Sequence, residues 1–266
     1  MTAQQIVQSA DDNNKTPLLV GGQKVNKMLR AILLFSIGFF CFQAMTQSFF
    51  EDEFKRINRI IINTFSPKVA KKNAEIELKE IYEGYGGAFK VDSVRKPLGE
   101  NRYIVTLTGE GAENANTLAI RALFACHEMG HILGGAPFQS KRLADWSSVE
   151  GQADYWGASE CMWLYINNEQ SRVVIHSYEE EQIKACKEHY ESEKDQLGCL
   201  RILSSIDALV AHWNLNREED KKLSLFDTDP TVVTKTLEKH PPKACRIQTM
   251  VNGALGMERP TCWFKS

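Results

Sequence analysis

Between Leu118 and Leu133 the apolar residues Leu118, Ile120, Leu123, Phe124, Ile132 and Leu133 recur at helical spacing, and Gly134-Gly135 followed by Pro137 mark a stop. A second helix is expected to begin at Glu150. The same periodicity runs over Glu51–Phe65 and Val69–Tyr82 on either side of a break at Ser66-Pro67, and over Tyr178–Trp213 with an interruption near Leu197-Gly198. Arg102–Thr108 differs, being rich in β-branched and aromatic residues between turn-forming segments, and is expected to be a strand. From Thr228 onward the pattern shortens, punctuated by Pro230, Pro241, Pro242 and Pro260. These elements predict an α+β domain, predominantly helical, with a small sheet beside the helix that ends at Leu133.

The first 48 residues have a separate logic. Lys24, Lys27 and Arg30 precede an apolar core at 31–42, followed by the small or polar residues Ala44, Thr46 and Ser48, which is the layout of an export signal. Cleavage after Ser48 is one expectation. The charge-free stretch 31–50 is also just long enough to span a bilayer as an uncleaved anchor. Positive charge before the apolar segment retains the N-terminus in the cytoplasm and exports the rest by either route. Because 1–27 is long for such a leader, Met28 is a second candidate start. The expected organisation is therefore 1–48 as signal peptide or anchor and 49–266 as one domain, periplasmic or secreted, touching a membrane only through 31–50.

Composition adds an exclusion. The net charge of −2 gives no electrostatic case for nucleic acid. Glu179-Glu180-Glu181 and the mixed charges over 184–195 read as a solvated helix face.

The chemistry is concentrated in His127-Glu128-Met129-Gly130-His131 and Glu150-Gly151-Gln152-Ala153-Asp154. On a helix, His127 and His131 lie one turn apart on one face and can bind one ion, while Glu128 is offset by about 100° and is placed to act as a base. A catalytic zinc needs a third protein ligand, and two histidines with a glutamate are a known set, a vacancy that Glu150 fills. Asp154, one turn beyond Glu150, is expected to accept the outer ring N–H of His127 and fix its tautomer. By analogy with known zinc peptidases, such a site is expected to hydrolyse peptide bonds with Glu128 as general base. A zinc-stabilised binding protein without activity is the alternative from another class. Trp146, Tyr155, Trp156 and Trp163 read as packing around these helices, and His176, His189 and His212 have no motif partner.

This pair of motifs resembles the gluzincin metallopeptidases. A further stretch, His240-Pro241-Pro242-Lys243-Ala244-Cys245-Arg246, is similar to the His-Pro and Arg segment of the family that contains the CAAX prenyl proteases and the bacterial heat-shock membrane proteases. The likeness covers roughly 118–248, and the chain lacks the several long apolar spans of the membrane-embedded members. It implies a zincin-like fold, Zn2+ as cofactor, a protein or peptide substrate, and His240 or Arg246 near the substrate or the oxyanion. The oxyanion donor remains open among His240, Arg246 and Tyr155. By analogy with such enzymes, strand 102–108 or a neighbour would line the cleft and pair with substrate backbone.

Cys41 lies in the leader, which leaves Cys126, Cys161, Cys186, Cys199, Cys245 and Cys262, an even set suited to as many as three disulfides in an oxidising compartment. The sequence does not select among their pairings. Cys126 adjoins His127 but points about 100° away from it, so a structural disulfide or buried thiol is expected there rather than a soft ligand.

Overall fold

The structure is a computed structural model that describes residues 52–72, 74–81, 91–95, 102–108, 115–141, 145–168 and 178–266. Its contacts divide the chain into 1–46 and 47–266. The first unit, with the apolar leader, lies outside the described residues, as does His176. Among the described residues no helix is long and apolar enough to cross a membrane.

The chain opens with a helix, α1 (52–70), which buries Phe54, Ile57, Ile61, Phe65 and Val69. It runs straight through Ser66-Pro67, where a break was expected. Phe65 and Val69 are one turn apart and both fully buried, and that burial outweighs the single backbone bond that Pro67 cannot donate. The helix expected over Val69–Tyr82 is instead the strand β1 (Glu75–Ile81). Its sequence, EIELKEI, alternates polar and apolar through Ile76 and Leu78, which pack on the core, so period two prevails over the weaker helical pattern.

Strands β2 (Val91–Arg95) and β3 (Arg102–Thr108) complete a sheet of order β1-β3-β2. β3 is parallel to β1, with Ile76 opposite Tyr103, and antiparallel to β2, with Val94 opposite Ile104. Both edges of β3 are therefore paired. A substrate strand has no free backbone to meet on 102–108 itself, and only the outer edges of its neighbours could offer one.

Helix α2 (Ala115–Leu133) packs against the sheet through β2 and β3, and its remaining surface meets the helices that follow. These are α3 (Glu150–Trp156), a π turn (Gly157–Cys161) that continues without a break into α4 (Met162–Ile166), and α6 (Glu193–Asn214). Helix α5 (Glu180–His189) lies on α6, and α7 (Lys243–Ala254) packs on α3, the π turn and α6. The interruption expected near Leu197-Gly198 falls earlier. Ser192 caps α6 by accepting the Asp195 N–H at 3.0 Å, and Gly198 lies inside the helix where the Trp163 ring leaves no room for a side chain. Glu179, Glu180 and Glu181 are exposed, as are His189 and His212.

Three disulfides tie these elements together: Cys126–Cys161, Cys186–Cys199 and Cys245–Cys262. Each closes a loop whose restriction in the unfolded chain stabilises the fold by about 3–4 kcal/mol on the chain-entropy account. The tryptophans pack on aromatic neighbours, Trp146 on Tyr103, Trp156 on Phe65 and Trp163 on Tyr190.

Candidate metal centre

The last turns of α2 carry His127, Glu128 and His131 into the interior, where each is less than a tenth exposed. Their neighbours Ala125, Cys126, Met129 and Ile132 are buried as well, so no side of this turn is free to solvate the polar groups. Partners must come from the protein. They are supplied by α3, which approaches α2 so closely that a Cβ at Gly130 would lie 2.7 Å from both Cα and O of Ala153. Gly130 is thus what lets the two helices meet backbone to backbone, bringing Glu150 of α3 to the histidines of α2.

The ring orientations are fixed by hydrogen bonds on the far nitrogens. His127 Nδ1–H donates to Asp154 Oδ1 at 2.8 Å, and His131 Nδ1–H donates to the Ser148 carbonyl at 2.8 Å. In both rings this turns Nε2 toward Glu150 as the nitrogen available to a metal, the arrangement that metal-binding imidazoles adopt. Ser148 is itself anchored, because its N–H donates to the His131 carbonyl at 3.0 Å. Nothing in the sequence marks Ser148, since it acts through its backbone.

Glu150 Oε2 is the focus of the site. It lies 3.2 Å from His127 Nε2, 3.5 Å from His131 Nε2 and 3.0 Å from His240 Nε2. Although three ring nitrogens are this close, the oxygen is buried and makes no hydrogen bond of normal geometry. That contradiction resolves if Glu150 Oε2 and ring nitrogens beside it are donors to a common ion. With metal–ligand bonds of about 2.0–2.1 Å, a tetrahedron has donor–donor edges of about 3.3 Å, which the three distances bracket. The donor set, nitrogen and carboxylate oxygen, suits a divalent first-row ion, zinc among them. The residues present therefore fit a metal ion.

His240 arrives from the opposite side of the sequence. Its segment is held by Val233 N–H to the Thr261 carbonyl, Leu237 N–H to the Trp263 carbonyl, and Gln139 Nε2 to the Glu238 carbonyl. The ring stacks on that of His127, centroids 6.1 Å apart, and remains more than half exposed. Glu128 Oε1 is 3.7 Å from His127 Nε2, and His127, Glu128 and His131 together also form a group that could hold an ion. Arg246, near the start of α7, is turned onto Asp154, with Nε to Oδ2 at 2.7 Å and Nη2 to Oδ1 at 2.8 Å. Its guanidinium also lies over the Trp213 ring. Tyr155 faces elsewhere, donating its hydroxyl to the Met257 carbonyl at 2.7 Å.

The electrostatics follow from three carboxylates gathered beside imidazoles in a water-poor space. Burial on its own lowers the His127 pKa, but Asp154, with Glu150 and Glu128, outweighs it and raises the group from 6.5 to about 10. Burial would raise Glu150 and Asp154. Glu150 is instead held well below the usual carboxylate range by the surrounding imidazoles, and Asp154 is held low by Arg246 and His127. A second group of metal-type residues, Asp229 with Cys245 and Cys262, has both sulfurs committed to a disulfide and offers a single carboxylate.

Comparison of the chain with protein-family models, with curated proteins and with solved structures returns no match.

Proposed function

We propose that this chain is a zinc-dependent endopeptidase of gluzincin type, acting on exported proteins or peptides. The observation that carries the reading is the meeting of His127, His131 and Glu150 around one point, with Glu128 beside it where a general base would stand. A structural metal site has no use for a general base held beside its donors. The helix carrying the histidines, packed on a small sheet, agrees with a zincin-like fold. Three disulfides and the apolar leader agree with an exported setting.

A zinc ion held by these donors would lower the pKa of a water toward about 7 and polarise the scissile carbonyl. Glu128 takes the proton of the attacking water and passes it to the leaving amine nitrogen as the C–N bond breaks. Asp154 keeps His127 in the tautomer that presents Nε2, and the Ser148 carbonyl does the same for His131. Arg246 keeps Asp154 ionised and oriented. The exposed His240 ring, reaching the site from its own segment, is the group available to donate to the developing oxyanion.

One observation favours a second reading. His240 Nε2 lies as near Glu150 Oε2 as the other two rings do, so it completes four protein donors, the closed set of a structural site. In that reading the chain is a zinc-stabilised binding protein. A Glu128→Gln variant separates the two. The enzyme loses hydrolysis of unmodified peptides and retains about one zinc per chain. If neither parent nor variant cleaves while both hold zinc, the binding protein is correct, and a parent without zinc removes both readings.

A further inference from the structure

His127 and His131 stand on α2 and Glu150 stands on α3, so an ion shared by them bridges two helices. Its affinity depends on how closely those helices are held before it binds. Glu150 and Asp154 reach the ring nitrogens of His127 and His131 only while α3 lies against α2.

Besides the His127–Asp154 hydrogen bond, two devices hold this approach, one at each histidine. At His131 the restraint is the pair of hydrogen bonds exchanged with Ser148. At His127 it is covalent. Cys126, the residue before His127, is bonded to Cys161, with both side chains wholly buried and their Cα atoms 5.4 Å apart. Cys161 closes the π turn that continues α3, so Glu150, Asp154 and Cys161 belong to one uninterrupted helical rod. Where the rod passes the disulfide it nearly touches α2, since a Cβ at Gly157 would lie 3.2 Å from the His127 backbone nitrogen. A π turn inserts an extra residue into the rod, and here it falls between Asp154 and Cys161, at the point of contact with the first histidine.

We propose that Cys126 and Cys161 are a positioning pair for the metal centre: their disulfide clamps His127 against the helix that carries Glu150 and Asp154, and tight metal binding requires that disulfide to be formed. This rests on the metal reading given above. In the closing step the two thiols give up two protons and two electrons to a disulfide donor such as glutathione disulfide. The Cys126–Cys161 S–S bond forms as the donor's S–S bond breaks, leaving two glutathione thiols. A chain kept reduced is then a weak metal binder, and oxidation outside the cytoplasm makes it competent.

The molecule contains its own control. Cys186–Cys199 joins α5 to α6, neither of which carries a donor to the metal point, so its loss lowers stability without loosening α2 from α3. The test uses the full chain, oxidised and stripped of metal, titrated with Co2+ while its visible absorption, its affinity and its thermal unfolding are followed. The Cys126→Ala/Cys161→Ala variant is expected to bind Co2+ about tenfold more weakly or worse, with an altered absorption band. The Cys186→Ala/Cys199→Ala variant is expected to unfold at lower temperature with its affinity within about twofold of the parent. Equal losses in the two variants, or no loss in the first, overturn the proposal.

Because coupling between two equilibria is reciprocal, the unmodified chain supplies a second measurement that does not depend on a variant folding. Co2+ is expected to make Cys126–Cys161 harder to reduce by the same factor, read by thiol alkylation and mass spectrometry, and to leave Cys186–Cys199 unshifted. An equal shift in both disulfides overturns the proposal. A parent that binds no Co2+ removes the metal reading and this inference together, whereas binding indifferent to the Cys126–Cys161 pair removes this inference alone.

Discussion

Asp154 and Arg246 form a two-pronged ion pair, with Nε on Oδ2 at 2.7 Å and Nη2 on Oδ1 at 2.8 Å, and the same Oδ1 accepts the His127 Nδ1–H. The carboxylate is almost wholly buried, so its charge is tolerated only because both partners are present. Replacing Arg246 by Ala leaves that charge with His127 alone. The expected cost is about 3 kcal/mol of stability, measured by denaturant unfolding of the metal-loaded protein. A cost below about 0.5 kcal/mol would mean that the pair does not hold the site.

Asp154→Asn preserves the shape of the side chain but removes the charge that orients and strengthens His127. Zinc affinity is expected to fall by about 10- to 100-fold, as read by competition with a chromogenic chelator. Unchanged affinity would assign Asp154 to Arg246 rather than to the metal.

His240→Ala tests the two roles open to the exposed ring. As oxyanion donor its removal lowers kcat by about 10²-fold with zinc affinity nearly intact. A gain in activity together with weaker zinc binding would instead identify His240 as the donor that closes the site.

The raised pKa of His127 makes the metal-free protein sensitive to alkali. A group lifted from 6.5 to about 10 on folding contributes stability that is complete below about pH 6.5 and is lost as pH rises through about 10. Asp154, held below its ordinary 3.8, contributes above that pH and loses its contribution as pH falls through its lower folded value. After chelation, Tm is therefore expected to decline from about pH 6.5 toward 10, while zinc affinity rises over the same interval because the competing proton leaves His127. A flat apo Tm across this window would contradict the buried charge arrangement described here.

Gly130→Ala introduces a methyl group 2.7 Å from the Ala153 backbone, which cannot turn aside as a flexible side chain could. The helices must part by a few tenths of an ångström or more. We expect a loss of about 1–3 kcal/mol and weaker zinc binding in the same variant. Thermal unfolding and metal titration of one sample measure both.

The residues themselves specify much of this site. Spacing along a helix determines that His127 and His131 share a face and that Glu128 does not, and the same rule sets Asp154 one turn from Glu150. The strand at 102–108 is legible for the same reason, because its β-branched pattern is local. Where two local patterns compete, as over 69–82, the sequence misleads, and the core decides by packing against Ile76 and Leu78 on alternate positions of β1. The Pro67 break fails likewise, since a buried Phe65–Val69 face outweighs one missing hydrogen bond.

What tertiary structure alone decides are the relationships between distant segments. The pairing of six cysteines depends on which Cα atoms the fold brings within bridging distance, information that no spacing rule contains. Arg246 lies 92 residues from the carboxylate it grips, and Ser148 orients His131 through a backbone carbonyl that every residue type possesses. His240 meets Glu150 because its segment is tied to Thr261, Trp263 and Gln139, three contacts made far away in sequence. Local spacing fixes which side chains can cooperate on one helix, whereas the approach of two helices is set by packing, here by the absent side chain of Gly130 against Ala153.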